Sequence, residues 1–276
     1  GVRRAPGARD GKPRRGAGIL IGAIPIIALL IAYALISVAR ADANPNEKVL
    51  PTFVAMAQAA VQLTTEVDPR TGNITAWSDT IASLWRLGIG VAIATLSTLL
   101  MGLALGVVPL VRAALGPIVA VTAVTPPIAV LPILFIALGL GEASKIALIA
   151  VGIAPYMVRD LAGHVASLPV EQMVKAQTLG ANSWQLTLRV ALPQALPRLI
   201  ESLRLSMGPA WVFLISAEAI ASDVGLGYRI FLVRRYLAMD IILPYVAWIS
   251  VLAIATDAIL LLISRKAFPW AHGEGH

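Results

Sequence analysis

Long uncharged runs alternate along this chain with short stretches that gather most of the charge. The first run, Gly16 to Ala39, follows a basic leader of Arg3, Arg4, Arg9, Lys12, Arg14 and Arg15. It is long enough for a bilayer crossing, which takes about 20 apolar residues. A secretory signal has the same order, but its apolar core is about 7 to 15 residues, so the run is read as a first span entered from inside. From Arg40 to Leu84 the chain turns polar and reads as an external loop. Within it Asp68-Pro69-Arg70-Thr71-Gly72-Asn73 is turn-prone, and Thr52 to Leu63 is apolar enough for a short helix on the membrane surface. Uncharged runs recur at Leu87 to Val111 and Ala113 to Gly141, parted only by Arg112, with Pro109 and Gly116 marking a tight cytoplasmic turn. A fourth span covers about Ile146 to Val158 and extends at both ends, a fifth about Leu205 to Ala221, and a sixth about Ile241 to Ser264. Arg159, Lys175, Arg189, Arg198 and Arg204 are spaced among apolar residues between the fourth and fifth, so that segment is amphipathic and not spanning.

The pattern predicts an all-α integral membrane protein of about six transmembrane helices. It has a basic tail 1–15, a membrane domain 16–264 with an external loop 40–84 and a cytoplasmic loop 159–204, and a tail 265–276. Of the 22 Lys and Arg, six in the leader, Arg112, five in the 159–204 segment, Arg265 and Lys266 fall on the proposed inner side. Basic residues favour the cytoplasm, which places both termini inside. Arg229, Arg234 and Arg235 cluster on the other side, in a late loop that constrains orientation less than the first span does. Composition agrees: 58% of residues are hydrophobic and 13% charged, against about 25% charged in soluble domains. The formal charge of +7 does not point to nucleic acid, because Lys and Arg form no basic domain interleaved with aromatics. There is no cysteine, and His164 is the one histidine before His272 and His276 in the tail, so no thiolate or histidine metal site is expected.

The internal segment Glu171 to Trp211 carries the most information. Pro169 suits the first turn of a helix, Gly180 with Asn182 suits its end, and Ser183 suits the cap of a second helix that Pro193 breaks. Such a bent pair fits a groove on a cytoplasmic partner, or lies on the membrane with no partner; shape leaves both open. Glu218 interrupts the fifth span, where a buried charge costs about 2.5 to 3.5 kcal/mol unless it is paired or meets water. It either lines a translocation pathway, flanked by Trp211 and Ser216, or forms a structural pair. Asp257 in the sixth span reads as the partner of a basic residue near the inner surface. Pro126, Pro127 and Pro132 kink the third span, as part of a gate or as a fixed packing feature. Gly88, Gly90, Gly102 and Gly106 read as close helix packing. Arg229, Arg234 and Arg235 attract an anion, dock an acidic partner, or are solvated charge.

Gly180 followed by Val190-Ala191-Leu192-Pro193 resembles the EAA loop of ABC importer permeases: Glu-Ala-Ala, three residues, Gly, nine residues, Ile-x-Leu-Pro. Ala176, Gly180, Val190, Leu192 and Pro193 match, with Ala181 beside the glycine, whereas Val174 and Lys175 stand where the family has Glu and Ala. Further positions resemble the nitrate, sulfonate and taurine branch: Leu50-Pro51-Thr52, Ala82-Ser83-Leu84-Trp85-Arg86, Thr125-Pro126-Pro127, Leu131-Pro132, Gly139-Leu140-Gly141, Leu203-Arg204 and Gly225-Leu226-Gly227-Tyr228. The resemblance implies a type I importer permease in the bacterial inner membrane. It also implies a second permease copy, two cytoplasmic ATP-binding subunits using ATP and magnesium, an external substrate-binding protein, and a small solute such as a sulfonate, nitrate or bicarbonate. This chain has no Gly-x-x-x-x-Gly-Lys-Ser/Thr phosphate loop, so no cofactor and no ATPase activity of its own are expected. The alternative is a stand-alone secondary transporter or channel with Glu218 as its coupling group.

Overall fold

The computed structural model describes residues 15–43, 48–67 and 72–271, with side chains from Ala23 onward. The basic leader, Asp68 to Thr71 of the predicted turn, and His272 and His276 lie outside the described residues. Helix α1 (Arg15–Ala43) is apolar on all sides, as a span in contact with lipid is. It reaches the next segment through Tyr33, whose hydroxyl donates to Pro51 O at 2.8 Å and whose ring meets Phe53. Thr52 then caps α2 (Phe53–Thr65), its Oγ1 accepting from Ala55 N, and an antiparallel Val67–Ile74 bridge leads into α3.

Helix α3 (Thr75–Val107) starts well before residue 84, the predicted end of the external loop. Asp79 and Ser83 fall within the predicted loop, and Arg86 just ahead of the predicted second span. Their spacing of four and three residues instead puts them on one helix face, and that face is buried.

The third span is not one helix. α4 (Pro109–Val124) and α5 (Pro127–Leu138) meet at 104°. Proline drives the residue before it out of helical geometry, so Thr125 and Pro126 are extended, and neither Pro126 nor Pro127 has an N–H to carry the ladder across. Pro132 lies inside α5.

Helices α6 (Glu142–Ala166), α9 (Leu192–Ala221) and α11 (Met239–Ala267) contain the remaining spans; between them lie α7 (Val170–Thr178), α8 (Ser183–Leu186) and α10 (Leu226–Arg234). Among the described residues, five helices are long and apolar enough to cross a membrane, six when α4 and α5 count as one broken span.

The core is the three-helix contact of α3, α6 and α9. Lipid is as apolar as leucine, so helices in a bilayer gain most from close packing at small residues. A Cβ on Gly90 would stand 2.8 Å from Ile149, one on Gly102 2.8 Å from Leu161, and one on Gly106 2.5 Å from Val165. These glycines seat α6 in a groove of α3, whereas Gly88 faces open space. On the other side of α6, Gly152 receives the Phe213 ring of α9.

Overpacking a tight contact costs about 1 to 3 kcal/mol. Gly106→Val is expected to lower the thermal unfolding midpoint of the detergent-solubilised protein. Gly88→Val, which meets no neighbour, leaves it close to wild type.

Candidate functional site

A polar cluster joins α3, α6, α9, α10 and α11. Arg86, 3% exposed, reaches two carboxylates at once. Its Nη1 donates to Glu218 Oε1 and to Val224 O, both at 2.7 Å, while Nε and Nη2 donate to the two oxygens of Glu142 at 2.5 and 2.8 Å. Lys145 adds a bond to Glu142 Oε1 at 2.8 Å. Glu218, fully buried, also accepts from the Ser83 hydroxyl at 2.8 Å and from Gly227 N at 2.9 Å. Asp79, also fully buried, accepts from Gly225 N at 2.9 Å, Arg229 Nε at 2.8 Å and the Tyr245 hydroxyl at 3.0 Å. The Ser83 oxygen accepts from Leu226 N. Burial opposes the charge on Arg229, but the Asp79 carboxylate more than offsets it and the guanidinium titrates above its ordinary value.

The turn into α10 fits only because of its glycines. Gly225 has φ +136°, outside the range of ordinary side chains, and a Cβ there would lie 2.5 Å from the Glu218 carboxyl carbon. A Cβ on Gly227 would lie 2.6 Å from Ile215 O. The backbone therefore comes close enough for three successive N–H groups, of Gly225, Leu226 and Gly227, to serve the cluster.

This arrangement corrects two expectations. Glu218 does not line an open path, because its carboxylate is enclosed and its oxygens are taken by Ser83, Arg86 and Gly227. A coupling role as in a stand-alone transporter has no free carboxylate to use there. Arg229 is not a free docking group either, since Asp79 holds it. Arg234 and Arg235 are exposed, Arg234 lying 4.7 Å over the Phe231 ring. Trp211 is buried with Nε1 directed at Thr256 Oγ1, Ser216 donates to Val212 O, and Pro126 and Pro127 lie at the α4–α5 break with Pro126 exposed. Asp257 is met by Arg204 through two bonds of 3.0 Å, and Arg198 of α9 similarly grips Asp160 of α6. The sequence reading missed Asp79, Arg86, Glu142 and Lys145. The available signal was the helical spacing of Asp79, Ser83 and Arg86 ahead of an apolar run, together with the need of Glu218 for a cation.

The second feature is the bent loop. Gly180 takes φ +84° after α7, and Ala181 N donates to Ala176 O at 3.0 Å while Gly180 N donates to Gln177 O at 2.9 Å. These two bonds form a Schellman end, the means by which a glycine satisfies the last carbonyls of a helix. Ala176, Gly180 and Ala181 are thus one structural unit. Asn182, not Ser183, caps the second helix: its Oδ1 accepts from Gln185 N, and Gln185 Oε1 accepts from Asn182 N. Pro193 does not break that helix. A π turn over Thr187–Ala191, ending with Leu192 N bonded to Thr187 O, resets the register so that the helical path continues from Ser183 to Ala221. Val190 and Leu192 are half-buried at this join, Pro193 is exposed on it, and Leu179, at the apex, is 88% exposed.

The model of the family "Binding-protein-dependent transport system inner membrane component" matches residues 94–268. The taurine transport system permease protein TauC of Escherichia coli (strain K12) is 38% identical over 203 residues, 73% of each chain. The putative aliphatic sulfonates transport permease protein SsuC of Bacillus subtilis (strain 168) is 29% identical over 68% of each. The nitrate import permease protein NrtB of Leptolyngbya laminosa is 25% identical over 68% of this chain and 67% of its own. A chain from inward-facing structures of the MetNI methionine ABC transporter shares the fold, with a TM-score of 0.54 at 20% identity over 66% of this chain and 93% of that one. The chain belongs to this inner-membrane component family, and it is a multi-pass permease subunit of an ABC importer.

Removing one member of a buried ion pair costs about 3 to 5 kcal/mol, whereas replacing the whole pair by apolar residues is often close to neutral. Arg86→Met is therefore expected to destabilise the permease strongly. The double variant Arg86→Met with Glu218→Met recovers part of the loss in a thermal-unfolding double-mutant cycle, with a coupling of about 1 kcal/mol or more.

Proposed function

We propose that this permease moves a small sulfonate-type oxyanion inward, driven by separate ATP-binding subunits that grip the loop around Gly180. The observation that carries the coupling is the Schellman-ended bend. Its bonds hold Leu179 out from the bundle as an apolar knob, and such a rigid, amphipathic projection suits a groove on a partner. Val174 and Lys175, where the family has Glu and Ala, leave the grip resting on this shape more than on a polar contact. The absence of a phosphate loop agrees with ATP and magnesium being bound on those subunits rather than here. The sulfonate reading is supported by the 38% identity to a taurine permease across 73% of both chains.

In this reading two copies of the chain pair in the bacterial inner membrane around a path bordered by the Pro126–Pro127 break. Both termini and the 159–204 segment face the cytoplasm, and the 40–84 segment faces outside. An external binding protein delivers cargo near Arg234 and Arg235, whose exposed charges attract acidic surface.

The test uses the complete importer in proteoliposomes. Taurine-loaded binding protein is expected to stimulate ATP hydrolysis and uptake together. Gly180→Asp keeps the complex assembled but reduces stimulated uptake about tenfold or more, a coupling loss within the usual 1 to 3 kcal/mol. Gly180→Asn is the control, because asparagine tolerates the left-handed backbone and carries no charge. Wild-type uptake in Gly180→Asp would remove the loop from coupling, and an ATPase insensitive to taurine would remove the substrate assignment.

A further inference from the structure

The C-terminal half of α6 has two faces. Ile153, Met157, Leu161 and Val165 are buried in the bundle, while Tyr156, Arg159, Asp160, Gly163 and His164 line a cavity of about 560 Å³ closed on the α9 side by Arg198. Among the described residues, every other charged side chain of α3, α6 and α9 has an ion-pair partner. Arg159 has none, nor any hydrogen bond, and its side chain is exposed. A guanidinium with no carboxylate set against it keeps its donors available to an anion that enters the cavity.

We propose that this cavity is an anion site through which the oxyanion cargo passes, with the Arg159 guanidinium as its recognition group. The proposal rests on the reading of the cargo as a sulfonate-type anion. Arg198 is spent on Asp160 and Glu201. Asp160 and Glu201 are both set against Arg198, which leaves Arg159 as the lining charge with no carboxylate of its own. The planar fork of arginine matches the oxygens of a sulfonate or nitrate. The Tyr156 hydroxyl, three residues earlier on the same helix face and without a partner of its own, is a second donor. Gly163 makes the room: a Cβ there meets nothing within 4 Å, so the cavity floor is open where most residues would intrude. The site adjoins the segment leading to Gly180, which puts anion passage and ATPase coupling at the same end of α6.

The chain has no cysteine, so Gly163→Cys places a single thiol on the cavity floor without a clash. The complete importer in phosphatidylcholine nanodiscs is treated with 2-sulfonatoethyl methanethiosulfonate, which carries the cargo's own head group, and with its trimethylammonioethyl counterpart. Labelling of this chain is followed by mass spectrometry. The anion-to-cation rate ratio is expected to exceed that of a free thiol in solution by about tenfold or more, as a focused positive field produces. It falls to the free-thiol value in Arg159→Gln, persists in Arg159→Lys, and ethanesulfonate slows the reaction. An unreactive thiol, a ratio equal to the free thiol's, or a ratio unchanged by Arg159→Gln overturns the proposal. Protection by added phosphatidylglycerol but not by ethanesulfonate assigns Arg159 to a lipid phosphate and likewise overturns it. None of these readings requires transport. A raised ratio beside absent taurine uptake therefore faults the substrate assignment, and a flat ratio beside normal uptake faults the site.

Discussion

Arg86 placed between Glu218 and Glu142 is the contact on which the rest of this bundle depends. Ions taken out of water lose several kcal/mol of solvation each, and they are tolerated in a membrane protein only as a closed, hydrogen-bonded set. Here the fully buried Asp79 and Glu218, with Glu142 at the exposed rim, balance Arg86, Lys145 and Arg229. Serine and tyrosine hydroxyls and three backbone N–H groups supply further bonds. A set this demanding in geometry forces its owners into register. It fixes α3 against α9, draws α6 in by its first turn, folds the Gly225 turn onto the bundle and ties down Tyr245 of α11.

Away from that end, different forces hold the helices. The middle relies on glycine grooves, where Gly90, Gly102, Gly106 and Gly152 let α3, α6 and α9 touch closely. The opposite end returns to ion pairs, Arg198 with Asp160 and Arg204 with Asp257. Helix α5 stands outside this scheme. It is joined to α4 through an extended Thr125–Pro126 step and held to α6 and α9 by apolar contacts around Leu131. The α7–α8 bend is also largely outside, stiffened by its own Schellman end and capping box and tied to α9 through the Gln194 Nε2 bond to Gln172 Oε1 at 3.0 Å.

Much of the fold was legible along the chain because its causes are local. Span length, the clustering of charge between spans, and the resemblance at Gly180 and Pro193 need only neighbours in sequence to be read. The errors have local causes too. Polar character at Asp79 and Ser83 suggested loop and left Arg86 outside the second span, because alone each favours water. The prolines at 126 and 127 suggested a kink, although two in succession after Thr125 leave no donor to rebuild the ladder. Pro193 suggested a break, which a π turn avoids.

Local pattern determined the number of apolar spans to within the one broken span and the position of the bent loop, since bilayer thickness, charge exclusion and the glycine backbone act residue by residue. The class of protein followed from the family resemblance at Gly180, Val190, Leu192 and Pro193. The roles of individual charges came from the folded molecule. Glu218 meets residues 132 and 135 positions away, and Asp79 meets residues 146 to 166 positions away. Whether a charge is spent on structure, as at Glu218, or left exposed, as at Arg159, depends on which helices pack beside it, and that is a long-range property that no local pattern encodes.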